Sequence, residues 1–275
     1  MLPLRRPRAV AHACWLLATR AQATAARPAP SEPDEPLVLR SGWAPSDLGA
    51  KRIIFIRHAE GTHNRDARDM PNYFDDGLGH TDAYIDARLT PEGEAQCTRL
   101  MEQLQWRHEQ GFVELVVVSP LTRALQTASL AFPHRPPDAP RPPFLATELA
   151  RERIWDHTCD MRRERPQLEA EFPHVDFSEV PLGPDGMWAH KEDEPSAWES
   201  TKCAARAADF LRWLWARPER HVAVVTHWCF LTHLFAPTKD AKLQDSFGNA
   251  EMRFASLMTR PMADALEKAP KHDEL

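Results

Sequence analysis

The sequence predicts an α/β sandwich with a largely parallel sheet, on three observations. Short apolar runs, "IIFI" at 53 to 56, "FVELVVV" at 112 to 118 and "HVAVVT" at 221 to 226, read as buried strands. Helical patterns separate them, as in βαβ units. Each run then empties into polar chemistry: Arg57 and His58 after the first, Ser119 and Arg123 after the second, His227 after the third. Ligands of such sheets bind beyond the carboxyl ends of the strands, so Arg57, His58, Arg123 and His227 form the candidate site.

At 275 residues and 43% hydrophobic, the chain can build one large core. Residues 1 to 31 hold five arginines and no acid, and without them the formal charge moves from −6 to −11. The remaining body is acidic, so nucleic acid is not expected as a partner. Within residues 1 to 25, Arg5, Arg6 and Arg8 precede an apolar run from Ala9 to Ala18, followed by small residues, as in a cleavable secretory leader. That run is too short to span a bilayer, so no stable membrane insertion is expected. A mitochondrial or plastid transit peptide has the same composition, and the leader alone does not separate the two. The last four residues, His272 to Leu275, read HDEL, a receptor-read retention address that favours the lumen of the endoplasmic reticulum and implies a retention receptor as partner. The expected organisation is a leader (1–25), a proline-rich arm or linker (26–50), a catalytic domain (51–262) and a tail (263–275). Five cysteines, at irregular spacing, resemble neither a disulfide framework nor a zinc site.

Along the catalytic domain, Thr90 and Pro91 start a helix as N-cap and first helical residue. Cys97, Leu100, Met101 and Leu104 form its apolar face, and it should end near Gly111. A second helix is expected from about Leu121 to Phe132, then a proline-rich loop from Pro133 to Pro143. Residues 171 to 195, rich in proline, glycine and acid, read as a long functional loop. Ser196 and Glu199 form a capping box for a long helix with Trp198, Ala204, Ala208, Leu211 and Trp215 on its apolar side.

Two arginines and two histidines at one sheet edge suit a tetrahedral dianion, because guanidinium forks donate paired hydrogen bonds to phosphate oxygens and stay charged at working pH. The histidines can bind metal, attack phosphorus or donate to its oxygens. A metal is the weaker choice, since there is no His-x-x-x-His pair or carboxylate cluster and the arginines repel a cation. His157 with Cys159 lacks a second ligand pair. No cofactor is expected.

The same residues carry a resemblance. Arg57-His58-Ala59-Glu60-Gly61-Thr62-His63-Asn64 is similar to the R-H-[GA]-x-x-x-x-N signature of the histidine phosphatase superfamily, branch 1. "LTPEGEAQ" at 89 to 96, "SPLTRALQTA" at 119 to 128 and "VVTHWCFL" at 224 to 231 resemble its further elements in order, and "HN" at 63 and 64 with "LARERIWDHTCDMRRE" at 149 to 164 resembles the fungal and plant phosphomutase-like proteins. The resemblance implies a phosphoglycerate mutase-like, three-layer α/β/α sandwich. It implies that His58 is the nucleophile, that Arg57, Arg123 and His227 clamp the phosphoryl oxygens, and that a glutamate after the proline-rich loop donates the proton. Glu148 and Glu152 are both available; Glu152 is preferred because it directly precedes "RIWDHTCD". Trp155 or Asp156 stands where relatives tend to have glycine. Asn64 steadies the loop or touches phosphate, His63 serves loop architecture or substrate contact, and Arg162 and Arg163 form a solvated helix face or reach a second anionic group. The implied activity is phosphatase action on a small phosphorylated substrate through phosphohistidine. A phosphomutase is the alternative, and a catalytically silent phospholigand binder a further one.

Overall fold

The computed structural model describes residues 35–75, 77–106, 112–133, 141–191 and 201–268. The leader, the HDEL terminus, the Ser196/Glu199 capping box and Gly111 lie outside these residues. Strands β1 (Leu37–Ser41), β2 (Lys51–Arg57), β3 (Leu115–Val118), β4 (Phe144–Thr147), β5 (Val175–Glu179), β6 (His221–Thr226) and β7 (Met252–Thr259) form one sheet. Their order is β1-β7-β2-β6-β3-β4-β5. From β2 to β5 every neighbouring pair is parallel, while β7 is antiparallel to both β2 and β1.

The helices are α1 (Thr62–Asp69), α2 (Asn72–Asp75), α3 (Pro91–Trp106), α4 (Thr122–Ala131), α5 (Arg165–Glu171), α6 (Gly186–Ala189), α7 (Thr201–Ala216), α8 (Trp228–Phe235), α9 (Ala241–Gln244) and α10 (Arg260–Lys268). Strand residues alternate between two cores, which makes the architecture three-layered. Ile53, Phe55, Val117, Val222 and Val224 bury against α7 and α8; Ile54, Ile56, Val116, Val118, Ala223 and Val225 bury against α3, α4 and α5. Among the described residues no helix is long and apolar enough to cross a membrane.

Several sequence expectations need correction. Leu37–Ser41, inside the expected arm, is an edge strand paired with β7, and α10 runs past the expected boundary at 262 to Lys268. The second strand starts at Leu115 rather than Phe112, whose ring is exposed. The expected long loop contains β5, where Val175 and Phe177 alternate inward in "VDFSE". Its polar outward residues and the proline and glycine beyond it hid a half-buried edge strand. On α7 the buried face is Cys203, Ala207, Phe210, Leu214 and the expected Trp215, while Ala204 and Ala208 are exposed. Alanines on both sides left that face ambiguous, and the bulk of Phe210 decides it.

The start of α3 buttresses the loop that follows β2. Thr90 caps the helix through Gly93 N–H (3.0 Å), and its own N–H donates to the Glu60 carbonyl (3.0 Å). Gln96 Oε1 accepts from Glu60 N–H at 2.8 Å. A Cβ on Gly93 would lie 2.1 Å from the Glu60 carbonyl oxygen, so the helix approaches the loop only because residue 93 has no side chain. Gly93→Ala is expected to destabilise the protein by about 3 kcal/mol, at the upper end of overpacking costs. Urea unfolding checks this, and a loss within about 0.5 kcal/mol of wild type, the scatter of neutral surface changes, would mean that the contact yields.

Candidate active site

Strand register builds the site. Arg57 pairs with Thr226 across β2 and β6, and Val118 pairs with Val225 across β3 and β6. The next residues, His58, His227 and Ser119, therefore leave three adjacent parallel strands together. His58 N–H still donates to the Thr226 carbonyl at 2.8 Å. The rings of His58 and His227 have centroids 5.0 Å apart, and His227 Nε2 lies 2.7 Å from Ser119 Oγ.

His58 is 2% exposed, and its Nδ1 lies 2.7 Å from the Ala59 carbonyl. A carbonyl only accepts, so Nδ1 carries the proton and Nε2 of the neutral ring keeps its lone pair. Burial, then the charges of Arg123 and Arg57, hold this imidazole well below the ordinary histidine pKa. His63 and His227 are held neutral in the same way, by burial first and Arg123 next.

The two guanidiniums are anchored on different elements. Arg57 Nη1 donates to the Phe247 carbonyl at 2.7 Å. Arg123, in the first turn of α4, donates to the Cys159 carbonyl and pairs with Asp160 at 2.8 Å while only 1% exposed. Burial works against the Arg123 charge, and the Asp160 carboxylate, with Cys159 and Glu152, outweighs it. Arg57 Nε, Arg123 Nε, His63 Nδ1 and His227 Nδ1 are all buried without a hydrogen-bond partner among the described residues.

The two candidate glutamates separate. Glu148 accepts from Arg151 (3.0 Å) and Arg162 (2.6 Å), within a network where Arg151 also forks onto Asp185. Glu152 instead sits at the start of α8, accepting from Phe230 N–H at 2.8 Å and Cys229 N–H at 3.2 Å. Its carboxyl pKa is raised, first by burial and then by Asp160, against the pull of the Arg153 and Phe230 amides and of Arg123. Neither Trp155 nor Asp156, where relatives tend to have glycine, adopts a positive φ. The Arg153 guanidinium lies 4.8 Å over the Trp155 ring.

Asn64 serves the loop: its Oδ1 accepts from Gly61 N–H (3.0 Å) and Asn249 Nδ2 (3.3 Å). Glu60 is tied to Thr90 and Arg68, both at 2.7 Å. Arg162 and Arg163 correct the sequence reading, because they lie before α5 and neither forms a solvated helix face. Arg162 is buried among Glu148 and the carbonyls of Arg163, Pro181 and Gly183; Arg163 bridges Asp86 (2.9 Å) and Glu171 (2.9 Å). His157 packs against Tyr73, Phe74, His80 and Trp155, with its ring parallel to that of Tyr73. Among the described residues no group of three or more His, Cys, Asp or Glu is arranged to hold a metal ion, and Cys97, Cys159, Cys203 and Cys229 are free thiols.

Sequence reasoning passed over three supporting residues. Asp160 holds Arg123, Ser119 holds His227, and Thr127 Oγ1 accepts from Ala59 N–H at 3.0 Å. All three stand inside stretches singled out above, but only the fold shows which partner each meets.

The neutral imidazoles make stability depend on pH. In the unfolded chain a histidine gains a proton near pH 6.5, whereas His58, His63 and His227 resist it when folded. Stability is therefore full above about pH 6.5 and falls as pH drops through it, by about 1.4 kcal/mol per pH unit for each such group. Unfolding free energies between pH 7 and 5.5 should fall less steeply in His227→Asn than in wild type. Equal slopes would show that His227 is not held neutral.

A family model described as the histidine phosphatase superfamily (branch 1) matches residues 53–258. A phosphoglycerate mutase-like protein of Arabidopsis thaliana is 35% identical over 210 residues, covering 68% of this chain and 74% of that protein. Phosphoglycerate mutase-like protein 1 of the same plant is 32% identical over 245 residues, covering 77% and 83%. Among solved structures, a mycobacterial glucosyl-3-phosphoglycerate phosphatase is similar with a TM-score of 0.43 and 20% identity, covering 74% of this chain and 88% of that one. With the signature histidine at the end of β2 and the matched region spanning the sheet from β2 to β7, the chain belongs to the histidine phosphatase superfamily, branch 1.

Proposed function

We propose that the protein is a phosphatase that hydrolyses phosphomonoesters through a phosphohistidine at His58. The observation that carries this reading is the set of buried polar atoms on Arg57, Arg123 and His227, unpartnered among the described residues, around an imidazole that keeps a lone pair on Nε2. Buried polar atoms normally have partners, and a tetrahedral oxyanion is a partner that these groups suit together.

In the proposed reaction, His58 Nε2 attacks phosphorus as the bond to the ester oxygen breaks, and Glu152 gives its proton to the departing alkoxide. Arg57, Arg123 and His227 stabilise the charge on the equatorial oxygens. Water then attacks the phosphohistidine, Glu152 takes its proton, and the P–N bond breaks to return neutral His58 and inorganic phosphate. The raised pKa of Glu152 suits an acid that must hold a proton at working pH. The arginines supply the positive charge, so no step is drawn through a metal. Asn64 steadies the loop through its Oδ1.

The names of the Arabidopsis relatives keep a phosphomutase as the second reading. There the phosphoryl group returns to bound product before water intervenes.

Steady release of phosphate from p-nitrophenyl phosphate is expected in wild type, with a loss of at least about 10³-fold in kcat for His58→Ala, on the scale of removing a nucleophile. Strict dependence on a bisphosphorylated primer, with no phosphate release, would favour the mutase. For the acid, kcat/KM should fall as pH rises through the raised Glu152 pKa, because the proton needed for the leaving group is then lost. Glu152→Gln should abolish that basic limb and cost about 10²- to 10⁴-fold in rate for an alkyl ester, the range for general acid–base catalysis. An unchanged limb in this variant would assign it to another group.

A further inference from the structure

We propose that His63 is a substrate-contacting residue of this pocket, its imidazole donating a hydrogen bond to a phosphoryl oxygen. The proposal rests on the reading of the site as a phosphoryl pocket and adds a member to it.

Four observations support it. The His63 ring centroid lies 5.6 Å from that of His58, and the residue is 8% exposed. Its Nδ1 is buried with no hydrogen-bond partner among the described residues, which a purely structural histidine ordinarily avoids. The work of holding the loop is done by others. Asn64 Oδ1 accepts from Gly61 N–H, Thr62 N–H donates to the Arg88 carbonyl at 2.9 Å, and Thr90 and Gln96 grip Glu60. Finally, the ring lies against Gly61, where a Cβ would come within 2.8 Å of His63 Cε1 and Nδ1. Gly61 has φ −95° and ψ 163°, a conformation open to any residue, so the missing side chain provides room for the imidazole rather than backbone freedom.

The charged and titratable neighbours point the same way. Arg123, Arg57 and His157 all disfavour a proton on His63, and its burial does so more strongly than any of them. A neutral imidazole still has one N–H, and an oxyanion held by two guanidiniums is a stronger acceptor for it than any neutral group.

The test uses the whole protein with inorganic phosphate as probe. Its inhibition constant against p-nitrophenyl phosphate hydrolysis, and its affinity by calorimetry, are measured for wild type, His63→Ala and His63→Gln. Loss of one hydrogen bond to a charged group should weaken phosphate binding by about 10- to 100-fold in His63→Ala, with kcat/KM falling at least as far and the melting temperature little changed. His63→Gln, which keeps an N–H donor, should recover part of the loss and is judged alone if the alanine variant does not fold. Phosphate binding within twofold of wild type in a folded variant, with or without a lowered melting temperature, overturns the proposal. If wild type still releases phosphate and His58→Ala does not, the phosphatase reading survives that failure. If wild type neither binds phosphate nor hydrolyses the ester, both fall together.

Discussion

Two guanidiniums, one buried and one half-buried, beside three buried imidazoles set the constraint that the rest of this structure answers. Like charges repel strongly where water is excluded. The protein meets this first by keeping the charge on the arginines alone: burial and the arginine field hold His58, His63 and His227 neutral. It meets it next with oxygen acceptors for each arginine, the Phe247 carbonyl for Arg57 and the Cys159 carbonyl with the Asp160 carboxylate for Arg123. Their Nε atoms have no partner among the described residues. A site so arranged favours an incoming anion and, in the same stroke, leaves His58 unprotonated and nucleophilic.

Asp160 connects the two halves of the chemistry. Its carboxylate fixes Arg123 and also raises the pKa of Glu152, which burial has already raised. Arg123 and Glu152 are thus coupled through one acidic side chain. The amides of Arg153 and Phe230 limit the rise by hydrogen-bonding the same glutamate. Around this centre runs a scaffold of buried ion pairs, in which Arg151 and Arg162 converge on Glu148 and Asp185 and bind together segments distant in sequence.

Much of the site was legible in the chain because it obeys a local rule. An apolar parallel strand that ends in arginine or histidine signals chemistry at its carboxyl end, and Arg57, His58 and His227 follow that rule directly. Arg123 was legible at one remove, four residues past Ser119 on the first turn of a helix. Less was legible where composition and burial part company. β1 hid in a proline-rich stretch, and β5 shows only two inward apolar residues. Alanines on both sides of α7 concealed which face is buried. Arg162 and Arg163 looked like solvent-facing charge because nothing local announces that Glu148, Asp86 and Glu171 come to meet them.

What the sequence by itself determined is the sheet's parallel centre, the polar groups at its edge and the family these motifs belong to. Periodicity and strand-end chemistry are local properties, carried by residues within a few positions of one another. Only the tertiary structure set Glu148 among Arg151 and Arg162 and Glu152 at the start of α8, made Asp160 the partner of Arg123, and brought His63 beside His58. Those outcomes depend on strand register and on contacts between residues up to about a hundred positions apart, such as Ser119 with His227. No short window of sequence contains both partners of such a contact, so the choice passes to the packing that joins them.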